Sequence, residues 1–73
     1  MDWRERITVD PEVRSGKPCI RGMRFTVYDV FAYLSGGMTI EELLDDFPYL
    51  ERDDILACFA YAAALGDRLL LAR

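Results

Sequence analysis

The chain has 73 residues, is 52% hydrophobic and 30% charged, and carries a formal net charge of -4. That describes one small globular domain, 1–73, able to bury only about 60% of its unfolded surface. It is too apolar for a disordered chain, has no run near the ~18 apolar residues of a membrane span, and without histidine it has no Ser-His or Cys-His nucleophile pair.

Residues 1–13 are charged throughout, so no secretory leader is read and the cytoplasm is the expected compartment. Cys19 and Cys58 are expected as reduced, buried thiols, because a cytoplasmic disulfide is disfavoured and zinc needs more ligands at closer spacing. No cofactor and no metal are expected. The charge is split along the chain: residues 1–25 hold six cations and four anions, net +2, whereas 26–73 hold three cations and nine anions, net -6. The two parts face different partners, or each other.

In chain order, 7-ITV-9 is a β-branched run ended by Asp10-Pro11 and reads as a strand. The stretch 12-EVRSGKP-18 is turn material, with Ser15-Gly16 able to take a positive φ. Then 19-CIRGMRFTV-27 alternates loosely and breaks at Gly22, giving one or two short strands with a turn there. The β part is therefore a hairpin-like element over 7–25, and the rest, 26–71, is helical. Thr26 caps a helix whose stripe is Val27, Val30, Phe31 and Leu34, and Ser35-Gly36-Gly37 ends it. Next, 39-TIEE-42 is a capping box, followed by the stripe Ile40, Leu43, Leu44 and Phe47 and stopped by Pro48. A third helix starts near Glu51, with Glu51, Asp53 and Asp54 in the first turn, where the helix dipole favours anions. Its expected inner face is Ile55, Phe59 and Ala62 with Cys58 beside them, and Gly66 is expected to interrupt it. The apolar tail 69-LLLA-72 either extends the helix across a dimer or folds back on its own core.

The fold class expected is mostly α: a short N-terminal β element plus a tri-helical bundle, its second and third helices joined by 47-FPYL-50 as in a helix-turn-helix. A DNA-reading helix puts its first residues between phosphates. Here those are Glu51, Arg52, Asp53 and Asp54, and the carboxylates repel a polyanion. The cations of the opening segment, Arg14, Lys17, Arg21 and Arg24, are better placed to meet a partner or nucleic acid, with Arg52 the single cation at the helix start. Arg21 and Arg24 have a second destiny, pairing with acids of the chain itself such as Asp29 or Asp45. Glu41, Glu42, Asp45 and Asp46 lie close enough for acid–base work or Mg²⁺, but they fall on the solvated side of a short helix, so no enzyme is expected.

The segment 16-GKPCIRGMRFTV-27, followed by 36-GGMTIEELLDDFPYLERDDILACFAYA-62, resembles the signature of the domain-of-unknown-function family 433. Gly16, Pro18, Ile20, Gly22 and Arg24 carry the front motif, and Glu41, Glu42, Pro48, Leu50, Asp54 and Tyr61 the rear. The resemblance implies a β element followed by a homeodomain-like helix-turn-helix bundle, in small prokaryotic proteins that are typically dimeric. It also implies an antitoxin role, non-enzymatic, binding and inhibiting a small PIN-like ribonuclease. The alternative is a dimeric DNA-binding repressor, of its own operon for instance. Two positions depart from the pattern: Met23 stands where the family has Thr, and Glu51 where a Ser or Thr cap is usual. In the proposed mechanism Arg21 and Arg24, on a hairpin shaped by Gly16, Pro18 and Gly22, pair with the nuclease's metal-holding carboxylates.

Overall fold

The computed structural model describes the backbone of residues 2–71 and the side chains of residues 2–66. A 3₁₀ turn at Trp3–Glu5 leads into strand β1, Ile7–Thr8, which pairs antiparallel with β2, Cys19–Ile20, in the register Ile7 to Ile20 and Thr8 to Cys19. Three helices follow, α1 (Val27–Ser35), α2 (Ile40–Asp46) and α3 (Arg52–Leu71). The chain is thus a mostly helical three-helix fold with a short two-stranded sheet at its front, as expected.

The second strand turns back on itself. The Met23 N–H donates to the Ile20 carbonyl (2.8 Å), Ile20 N–H to Phe25 (2.9 Å) and Val27 N–H to Pro18 (2.9 Å). The turn places Arg21 at φ 46° and Gly22 at φ 72°, the two positive values that a primed hairpin turn requires. A glycine accepts this freely. An arginine does so at a cost of roughly 1–2 kcal/mol, which its side-chain contacts must offset. Ser15 and Gly16 also take positive φ, as does Arg14.

Capping chemistry sets the helix starts. Thr26 and Asp29 form a reciprocal capping box on α1, and Thr39 and Glu42 form one on α2. Asp29 was not anticipated in that role. At α3 the Asp54 carboxylate accepts the Glu51 N–H at 2.8 Å, the half of a capping box that the third helical residue supplies; a Ser or Thr at 51 would supply the other half.

The core is Ile7, Ile20, Phe25, Val27, Val30, Leu43, Leu50, Ile55, Ala57 and Cys58. Phe31, Leu34, Ile40, Leu44 and Phe47 pack against it half-buried. Two expectations for α3 need correction. Phe59 does not point inward: it is 43% exposed, while Asp54, Ala57 and Cys58 are buried. Residues 55–65 carry no charge, so no polar side marks the outer face, and the helix is rotated by the ion pairs that draw Asp54 inside. Nor does Gly66 interrupt α3, which runs on to Leu71. A mid-helix glycine costs about 1 kcal/mol against alanine, too little to break a helix this rich in alanine. The packing of 69-LLLA-72 lies outside the described residues.

Candidate functional site

The chain's positive front and negative back meet at Asp54. Its side chain is fully buried. Arg21 grips it bidentately, Nε to Oδ1 at 3.0 Å and Nη2 to Oδ2 at 2.9 Å. Arg6 reaches Oδ1 from β1's side at 2.9 Å and also binds Glu51 at 2.7 Å. Arg21 donates further to the Tyr49 carbonyl at 2.8 Å. Burial pushes the Asp54 carboxyl up, but the hydrogen bonds from Arg21, the Glu51 backbone and Arg6 outweigh it and hold the group below its ordinary value. This is a clamp that fastens β1 and the hairpin to the head of α3.

Arg14 makes a smaller clamp. Its guanidinium donates to Asp29 at 2.8 Å and to the Arg24 carbonyl at 2.9 Å. Asp29 also takes the Thr26 N–H at 2.9 Å, so one carboxylate caps α1 and holds the 14–16 turn. Burial raises its carboxyl, and the Thr26 backbone and Arg14 more than reverse this.

The cations singled out by sequence therefore separate. Arg21 is committed to Asp54 rather than to Asp29 or Asp45, Arg14 to Asp29, and Arg52 to Glu41 on α2. Lys17 and Arg24 are exposed and make no ion pair among the described residues. Gly16 and Gly22 hold the positive-φ turns, Ile20 is fully buried, Pro18 is buried, and Pro48 follows the end of α2. Arg6, half of the Asp54 clamp, had no role assigned from sequence. The signal was the charge split itself, which says that the two parts attract without saying through which residues.

Sequence reasoning also passed over an aromatic cluster. Phe25 from the hairpin, Tyr33 from α1, and Phe47 and Tyr49 from the α2–α3 turn stack together, with centroids 4.9 Å apart for Phe25–Phe47 and 5.2 Å for Tyr33–Phe47. Phe25 is buried, but Tyr33 is 43% and Tyr49 52% exposed. The rings come from three separate elements, so no local pattern announces them.

A groove of about 310 Å³ lies between the N-terminal turn and α3, lined by Trp3, Arg4, Tyr61, Ala64 and Leu65. Arg4 lies over the Trp3 ring at 4.7 Å, and Trp3 meets Tyr61 edge-on at 5.1 Å. Among the described residues that line it the arginine is the one ionic group, and no group of three metal-ligating side chains comes together among the described residues. Glu41, Glu42, Asp45 and Asp46 are all exposed on α2. No helix among the described residues is long and apolar enough to cross a membrane.

A front hairpin clamped onto a capped three-helix bundle defines the class. Residues 7–62 match the family described as Protein of unknown function (DUF433), and the chain belongs to that family. It is 38% identical over 61 residues to the uncharacterized protein y4eO of Sinorhizobium fredii, covering 84% of this chain and 28% of that protein. Its fold matches the crystal structure of a DUF433 member from Anabaena variabilis with a TM-score of 0.79 and 30% identity, over 86% of this chain and 62% of that one. The chain thus spans under two thirds of the length of each.

Proposed function

We propose that the chain is a non-enzymatic, antitoxin-type interaction module that binds and inhibits a small PIN-like ribonuclease. One observation carries the binding half: the cluster Phe25, Tyr33, Phe47 and Tyr49 leaves two tyrosines substantially exposed on a rigid support. Exposed, pre-organised tyrosine is the composition of protein-binding hot spots. The nature of the partner rests on the resemblance to probable antitoxins.

The geometry changes which arginine does the work. Arg21 is spent on Asp54, and releasing it would strand a buried carboxylate. Arg24 is free to pair with a nuclease's metal-holding carboxylates, with Lys17 adding charge nearby in sequence. The alternative, a DNA-binding repressor, has less support: Glu51 and Asp53 are exposed at the head of α3 and Arg52 is tied to Glu41.

Pull-down of the tagged chain from its own organism at moderate salt, with mass spectrometry, tests the reading. Support is a small ribonuclease in stoichiometric amount whose activity falls when the chain is added. Recovery of the chain with DNA and no nuclease would reject it.

A further inference from the structure

Residues 47–51, between α2 and α3, form neither helix nor strand. Pro48 brings no N–H to hold the turn, and the Leu50 N–H closes it on the Phe47 carbonyl at 2.9 Å. Tyr49 sits at the tip with its side chain half in solvent. An exposed side chain on a short turn ordinarily hops between rotamers in nanoseconds. Something must hold Tyr49 if its ring is to stay in the cluster.

The front hairpin grips this turn twice. From one arm, Arg21 Nη2 donates to the Tyr49 carbonyl at 2.8 Å. From the other arm, the Phe25 ring meets Phe47 at 4.9 Å and Tyr49 at 6.4 Å, both edge-on. The arms are joined by the Ile20 N–H, which donates to the Phe25 carbonyl at 2.9 Å. Arg21 in turn cannot drift. Its Nε and Nη2 both lie on the fully buried Asp54 carboxylate, and a planar guanidinium held at two nitrogens has one orientation. Arg6 holds the same carboxylate, but its other partners are Glu51 and Asp53, not the tip of the turn. The backbone adds a second sign: at φ 46° the position favours glycine, yet it carries arginine.

We propose that Arg21 is a positioning residue for the ring face. It carries the fixed orientation of Asp54 to the Tyr49 carbonyl, and so sets the tyrosine ring against Phe25 and Phe47 before any partner arrives. A partner then meets a pre-formed ring rather than one it must order. The consequence for affinity rests on the interaction-module reading above; the positioning itself does not.

NMR of the free full-length chain tests the positioning. The wild type shows NOEs from the Tyr49 ring to the Phe25 and Phe47 rings and a single Tyr49 χ1 rotamer. Arg21→Lys keeps a cation for Asp54 but lacks the forked nitrogens that reach carboxylate and carbonyl together. In it the Tyr49 NOEs vanish and χ1 averages, while the Phe25–Phe47 NOEs and the circular dichroism persist. Arg6→Lys loosens the same carboxylate from the other side and leaves Tyr49 fixed. Affinity for the co-purifying ribonuclease falls about tenfold in Arg21→Lys, as for a weakened hot spot, and stays close to wild type in Arg6→Lys. Averaging of Tyr49 χ1 in the wild type overturns the proposal. So does a fixed Tyr49 in Arg21→Lys, or its equal release in Arg6→Lys, which would be general loosening. Should the lysine chain not fold, the shorter Arg21→Gln replaces it under the same outcomes. A released Tyr49 with unchanged ribonuclease affinity counts against the ring face as the partner's site, not against the positioning.

Discussion

Replacing Asp54 with alanine removes the acceptor of four hydrogen bonds: two from Arg21, one from Arg6 and one from the Glu51 N–H. Both guanidinium groups then lose their buried partner, Arg6 keeping Glu51 and Arg21 keeping the Tyr49 carbonyl, and α3 loses its N-terminal acceptor. Breaking a fully buried ion pair from one side costs about 3–5 kcal/mol, an upper bound here because the two arginines left behind are a quarter to a third exposed. A domain of this length has roughly 4–11 kcal/mol of stability altogether. Asp54→Ala should therefore lower Tm by at least about 10 °C, from a loss of about 2–3 kcal/mol at roughly 4–8 °C per kcal/mol. Urea unfolding followed by circular dichroism measures this. Arg21→Ala should cost more than Arg6→Ala, since Arg21 binds bidentately and also holds the Tyr49 carbonyl, and Arg21→Lys should recover little of the loss. A loss under about 1 kcal/mol for Asp54→Ala, well short of a broken buried pair, would refute the clamp.

Acid should unfold the chain through the same groups. Asp29 and Asp54 lie below the ordinary 3.8 in the folded state, so the unfolded chain takes up their protons first as pH falls. Their contribution is complete above about pH 4 and is lost as pH drops through the folded-state values; Asp54→Asn should flatten that limb of a stability–pH curve. Burial pushes the Cys58 thiol up to about 12, so iodoacetamide should label it only on unfolding, and rapid labelling of the native chain would contradict its placement. Thr39→Ala should cost about 1 kcal/mol by removing the α2 cap, read from a urea midpoint shift at constant slope.

The local rules were legible because they depend on neighbours in sequence. Thr26 and Thr39 start α1 and α2, and Gly22 turns the hairpin. What failed was the direction of α3, where 55-ILACFAYAAAL-65 offers no polar residue strong enough to mark a face. Its rotation is decided by Arg6 and Arg21, from 48 and 33 residues away, which bring Asp54 inside. The site was half legible for the same reason. Composition said that the hairpin cations matter, but only the folded chain shows that Arg21 and Arg14 are internal ties, whereas Arg24 and Lys17 make no ion pair among the described residues. The ring cluster was illegible, since Phe25, Tyr33 and Tyr49 meet only when hairpin, α1 and turn come together.

We propose that the hairpin and ring face bind a protein. The most direct test is equilibrium binding of the purified chain to the co-purifying ribonuclease, comparing wild type with Arg24→Glu/Tyr49→Ala. The variant should bind at least a hundredfold more weakly, equivalent to about 2.7 kcal/mol, with the unfolding midpoint unchanged. Unchanged affinity in a folded variant would contradict it.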